Sequence, residues 1–73
     1  MEEFLINKVE ELTFESVEKS DSLIESAILD SITVVELAVS IEKKYEVKIP
    51  FNDIVPENFE NIEIIMNYVN SLK

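Results

Sequence analysis

The sequence predicts an all-α fold, a small four-helix bundle of three main helices and one short one. Three observations lead there. Apolar residues recur at helical spacing in three separate stretches, no stretch alternates with a convincing strand period, and 73 residues leave room for only one hydrophobic core. Residues 1–73 are therefore expected to form a single domain.

The first helix is expected from Glu2 to about Leu12. Leu5, Val9 and Leu12 share one face with Phe4 beside them, and glutamates occupy the other. Thr13 to Ser22 is rich in Ser and Glu and reads as a loop whose two apolar residues, Phe14 and Val17, fold back onto the core. Leu23 and Ile24 are expected to pack inward behind them. The central helix, roughly Ser31 to Glu46, carries the strongest pattern, with Val34, Leu37, Ala38, Ile41 and Tyr45 on its core face. Lys43 and Lys44 suit the negative end of its macrodipole, and Pro50 sets the limit beyond which it cannot run. Between Pro50 and Pro56, the run Phe51-Asn52-Asp53-Ile54-Val55 has space for one short helical turn. Val47 to Phe51 is the only strand-like stretch and is read as loop, since a lone strand has no partner. The last helix runs from Asn61 to Leu72, with Ile62, Ile65, Met66 and Val69 forming its buried face.

Composition removes whole classes of function. Without cysteine there are no disulfides and no thiolate metal sites, and without histidine the commonest metal ligand and proton shuttle is missing, so no metal site is expected. Without glycine there is no P-loop and no dinucleotide fingerprint. Sixteen acidic residues against six lysines give a formal charge of −10, which repels nucleic acid and anionic membranes and attracts basic protein surfaces. The acidic start, Met1-Glu2-Glu3-Phe4, is unlike a secretion signal, and no run approaches membrane-spanning length. A cytoplasmic, monomeric protein that does not insert into membranes is the expectation, and the start at Met1 suggests a free-standing one. Catalysis is not expected either. No histidine can deprotonate a serine, and a chain this short has little room for a closed pocket that would raise a carboxylate pKa.

Ser31, following Asp30 at the start of the central helix, has two readings. It can be an N-cap whose oxygen accepts from exposed backbone N–H groups. It can also be an attachment point, because the positive end of the helix and its free N–H groups favour a phosphodiester. A second apolar stripe, Ile32, Val35 and Val39, begins beside Ser31 and is rotated away from the core set. A helix this small cannot bury both stripes. With Asp30, Glu36, Glu42 and Glu46 along its edges, the stripe is either a partly buried flank beside a solvated face, or a docking patch for a partner that presents Arg or Lys around an apolar groove.

The run Ile24-Glu25-Ser26-Ala27-Ile28-Leu29-Asp30-Ser31-Ile32 resembles the attachment motif of phosphopantetheine carrier proteins, the acyl carrier family. Val35-Glu36-Leu37, Ile41-Glu42, Tyr45 and Ile49-Pro50 are similar to that family's second helix and its exit. Pro56-Glu57-Asn58-Phe59 with Ile62 to Val69 resembles its last loop and helix, so the likeness covers nearly everything from Leu23 onward. It implies an acyl-carrier-like bundle in which Ser31, flanked by Asp30, receives 4′-phosphopantetheine from coenzyme A through a separate phosphopantetheinyl transferase. The arm's thiol would then hold an acyl or aminoacyl group as a thioester. A loading ligase and a downstream synthase or transferase, each with a basic docking surface, would be the further partners, meeting Ile32, Val35, Glu36, Val39 and Glu42. Ala27 stands where glycine is frequent in the family and Ile32 where leucine is usual, and the first departure is expected to stiffen the loop before Ser31. The cargo can be a fatty or polyketide acyl chain, an activated amino acid or D-alanine, and Leu23 to Ser31 leans towards the latter two. The alternative function is a non-carrier acidic helical module that recruits a basic protein, with Ser31 only a cap.

Overall fold

In a computed structural model covering all of Met1–Lys73, three helices form: α1 (Glu2–Thr13), α2 (Ser31–Tyr45) and α3 (Ile62–Leu72). Each follows its predicted apolar spacing to within a residue. Glu2 and Glu3 in the first turn of α1, and Lys43 and Lys44 in the last turn of α2, sit where the helix dipole favours their charges. The α3 N-terminus is capped by Asn61, whose side chain accepts the Ile64 N–H at 2.8 Å. α2 stops at Tyr45, well before Pro50, because Glu46 turns left-handed at φ 54°. The single short helix expected between the prolines is instead two 3-10 turns, Phe51–Asp53 and Pro56–Asn58. Pro56 starts the second turn, and its ring leaves no N–H to continue the first.

α1 packs against both α2 and α3. The Phe4 ring meets Tyr45 edge-on at 5.6 Å, so the start of α1 lies beside the end of α2 and the two run in opposite directions. The Lys73 ammonium stands 5.0 Å from the Tyr45 ring, which brings the end of α3 to the same place. Lys44 and Lys8 also approach the Phe4 ring, at 5.6 and 6.0 Å. Cations thus gather at the end of the bundle away from Ser31.

The core is one cluster of 14 buried residues, every one apolar. Leu5 and Val9 of α1, Leu37 and Ile41 of α2, and Ile65 and Val69 of α3 are wholly withdrawn from solvent. Burying each such side chain contributes roughly 1.5–3 kcal/mol. Leu12, Tyr45 and Met66 are only half-buried at its edge. Val17 folds inward as expected, but Phe14 does not: it caps α1 with φ 61° and ψ 24°, and its ring is 93% exposed. The left-handed backbone ends α1 there, the Phe14 N–H donating to the Glu10 carbonyl at 2.8 Å, and leaves the ring in solvent.

The segment between α2 and α3 is anchored in the core by Ile49 and Phe59, but it buries none of the residues of its two turns, which are fastened by polar contacts. Glu42 of α2 accepts the Ile49 N–H at 2.7 Å, and Asn58 donates to the Asp53 carbonyl at 2.8 Å. Tyr68 of α3 donates its hydroxyl to the Asp53 carboxylate at 2.6 Å.

Burial, then the Asp53 hydrogen bond, then the negative charges of Asp53 and Glu42 push the Tyr68 phenol up to about 12. A folded pKa raised above the unfolded value of about 10 means that the fold holds this proton more tightly. The resulting stability is fully present below pH 10 and is lost as pH climbs towards 12. Ultraviolet titration of the folded protein should show a tyrosine ionising near pH 12 that is absent in Tyr68→Phe, and the variant should lose less stability across that window. An unchanged titration in Tyr68→Phe would remove the Asp53 contact from this account.

Candidate functional site

Asp30 lies in extended backbone, φ −101° and ψ −178°, immediately before α2. Its carboxylate accepts the Thr33 N–H at 2.7 Å and the Ile32 N–H at 3.1 Å. The N-cap is therefore Asp30, and Ser31 is the first residue inside the helix. The Ser31 hydroxyl is exposed and makes no hydrogen bond within the protein. The two N–H donors that the sequence offered to a phosphate are taken by Asp30. Those bonds, first the Thr33 N–H and then the Thr33 side chain, hold the Asp30 carboxyl below its ordinary range despite some opposing desolvation, so it is anionic near neutrality. What recommends Ser31 for attachment is consequently access and a fixed position rather than a vacant anion site.

The loop before Ser31 is anchored at its far side. Leu23 donates its N–H to the Glu60 carbonyl at 2.7 Å, and Ser22 donates its hydroxyl to the Glu60 carboxylate at 2.5 Å. Ser26 Oγ bonds back to the Ser22 carbonyl, and the Leu29 N–H to the Leu23 carbonyl at 2.8 Å. Within this compact turn Ala27 is left-handed, at φ 62°. This is the position at which the sequence comparison with the carrier family expected glycine, and alanine adopts the glycine-like backbone rather than avoiding it.

Beside Ser31 lies an apolar cavity of about 300 Å³. Val34 and Val35 of α2 and Ile24 and Leu29 of the preceding loop form one wall, while Phe51, Ile54, Val55 and Pro56 form the other. A pocket of this size sits at the lower end of those that take small ligands. The second wall is what sequence reasoning missed. Its only signal was the apolar run Phe51, Ile54 and Val55 trapped between Pro50 and Pro56.

The second stripe of α2 is exposed: Ile32 at 70%, Val39 at 41% and Val35 at 37%, with Val35 also lining the cavity. Phe51 adds a ring exposed at 79%. Glu36 and Glu46 face solvent beside the stripe, but Glu42 is half-buried with one carboxylate oxygen committed to Ile49. No group of three or more acidic side chains is arranged to hold a metal ion, and no helix is long and apolar enough to cross a membrane.

A family model described as a phosphopantetheine attachment site matches residues 4–69. The chain is 39% identical over 67 residues to an acyl carrier protein of Campylobacter jejuni subsp. jejuni, which covers 89% of this chain and 84% of that protein. It is 40% identical over 67 residues to an acyl carrier protein of Campylobacter lari, with the same coverage. A D-alanyl carrier protein of Streptococcus uberis is 31% identical over 75 residues, spanning 100% of this chain and 95% of that protein.

The left-handed Ala27 yields a stability test at the site. A side chain in this region costs roughly 1–2 kcal/mol, and the extra freedom glycine gives the unfolded chain takes back about 0.4–1. Ala27→Gly should therefore stabilise the protein by up to about 1.6 kcal/mol, with Tm rising by about 4–8 °C per kcal/mol gained in a domain of this size. A lower Tm would mean that the loop is not held as described.

Proposed function

The chain belongs to the family of phosphopantetheine-bearing carrier proteins, and from that membership we propose that Ser31 is the residue that carries the arm and that its cargo is an acyl chain. As a member of that family it is a carrier and not a catalyst. The observation that carries the proposal is the free, exposed Ser31 hydroxyl at the first position of α2, beside an apolar cavity of about 300 Å³.

The prosthetic group supplies a thiol, which this cysteine-free chain lacks, and the thiol holds the cargo as a thioester. Ser31 Oγ supplies the attachment. It forms a new bond to the phosphorus of coenzyme A's pantetheine phosphate, the bond to the nucleotide phosphate breaks, and adenosine 3′,5′-bisphosphate leaves. With no histidine anywhere in the chain, the proton lost from Oγ goes to a base on the transferase. Asp30 fixes the start of α2 and so the place of Ser31, and it leaves the hydroxyl itself untouched. The cavity walls can shelter a hydrocarbon chain from water, which D-alanine, small and charged, has no use for. That favours an acyl over an aminoacyl cargo, against the lean of the motif alone.

Carrier proteins work with a phosphopantetheinyl transferase and with ligase or synthase enzymes. For this chain we assign their docking to Ile32, Val35 and Val39, with Glu36 and the free oxygen of Glu42 addressing Lys or Arg on the partner. We take residues 1–73 as one carrier domain acting as a monomer in the cytoplasm, where coenzyme A is at hand.

Two measurements test this reading. Intact-protein mass after incubation with coenzyme A, Mg²⁺ and a broad-specificity phosphopantetheinyl transferase should rise by one phosphopantetheine, and Ser31→Ala should remain unmodified. A folded protein that several such transferases leave unchanged would favour the acidic interaction module instead. Separately, loading the arm with an octanoyl group should raise Tm by at least about 4 °C, corresponding to about 1 kcal/mol, while D-alanyl loading should leave it unchanged. Equal Tm values for the two loaded forms would remove the argument for an acyl cargo.

A further inference from the structure

Phe14 departs twice from what a helix end ordinarily holds. Its backbone is left-handed, at φ 61° and ψ 24°, where glycine and asparagine are the usual occupants, and its ring is 93% exposed. The backbone closes α1, the Phe14 N–H donating to the Glu10 carbonyl at 2.8 Å, but that task needs no aromatic side chain. The ring belongs neither to the 14-residue core nor to the half-buried residues packed around it. Thr13 adds to the closure through its hydroxyl, which donates to the Val9 carbonyl at 2.7 Å and accepts the Glu15 N–H at 3.2 Å. A single exposed apolar side chain is ordinary. A large one at a left-handed cap, where glycine or asparagine would do the same work without strain, is less so, and such choices gather at functional positions.

Its place in the bundle suggests what it meets. α1 begins beside Tyr45 at the end of α2 and runs the opposite way, so Phe14 lies at the end of the bundle where α2 begins with Ser31. The whole molecule measures 27 × 23 × 18 Å. A protein interface of standard size covers about 800 Å² of each partner, enough for an enzyme seated over Ser31 to reach Phe14 as well. Following Phe14, the exposed Glu15 and Glu18 with Asp21 outnumber the lone Lys19, within a chain of net charge −10. An exposed ring followed in the chain by exposed carboxylates matches an apolar socket edged by Lys or Arg.

We propose that Phe14 is an anchor for the enzymes that act on Ser31, entering an apolar, basic-rimmed socket at a point separate from the stripe on α2. The inference rests on the assignment of Ser31 as the attachment residue.

The test uses the apo protein, coenzyme A, Mg²⁺ and a broad-specificity phosphopantetheinyl transferase, with initial rates measured for the wild type, Phe14→Asn, Phe14→Gly, Phe14→Leu and Ser31→Ala. Asparagine and glycine suit the left-handed backbone, so both variants should melt at or above the wild-type temperature. Their KM should nevertheless rise about tenfold with kcat unchanged, while Phe14→Leu, which keeps an apolar side chain, should stay within about threefold. A KM for Phe14→Asn within about twofold of wild type would overturn the proposal. So would a lower Tm in both Phe14→Asn and Phe14→Gly, since the ring would then be serving the fold. A wild type left unmodified, or modification that persists in Ser31→Ala, would strike the Ser31 assignment and the anchor with it, and is told apart from the first two results by the Ser31→Ala control.

Discussion

The burial of one face of α2 governs the region around Ser31. Leu37 and Ile41 are fully withdrawn from water, with Ala38 and Val34 nearly so, and no polar side chain is buried anywhere to share in fixing the helix. Hydrophobic burial is non-directional, but a helix with four residues committed to the core has its rotation set to within a narrow range. That rotation turns Ile32 and Val39 outward, places Val35 at the cavity and presents Ser31 at the helix start. The exposed face is thus what remains of α2 once its core face has been satisfied.

Polar contacts then refine what burial leaves loose. Asp30 closes the start of α2 and Asn61 that of α3, while Glu60 holds the loop that leads to Ser31. The absence of glycine constrains the same turns from the other side. Phe14, Ala27 and Glu46 all take left-handed backbone with a side chain attached, and two of the three lie at helix ends where glycine is the usual choice. In a domain of this size, with a thin margin of stability, three such positions matter.

Periodicity made the three helices legible in the sequence, because each buries one face and the apolar spacing registers it directly. It was silent where burial depends on tertiary geometry. Phe59 is completely buried, yet it stands alone after Pro56-Glu57-Asn58 with no repeat to mark it, and Phe14 looked equally able to fold inward until its backbone proved left-handed. At the site, the place of Ser31 at the head of α2 could be read from sequence, but its hydroxyl's freedom could not, since Ser and Asp are both good caps and only the extended backbone of Asp30 decides between them. Glu42 read as an edge carboxylate of the second stripe, solvated or facing a partner, because the group it accepts from, the Ile49 N–H, lies beyond the helix end. The cavity escaped notice because its outer wall comes from a segment without regular spacing.

That outer wall has a different physical character from the bundle it leans on. Its two turns contribute no buried residue and are held mainly through Asp53, Asn58, Tyr68 and the clasp between Glu42 and Ile49. Both ends of the segment are nonetheless fixed in the core, by Ile49 and by the fully buried Phe59, and Ile54 packs against it. Between those two anchors the residues of its turns make few buried contacts, the condition under which a segment opens locally before the whole fold does. One side of the cavity beside Ser31 is therefore firmly packed helix, and the other the more weakly held part of the chain.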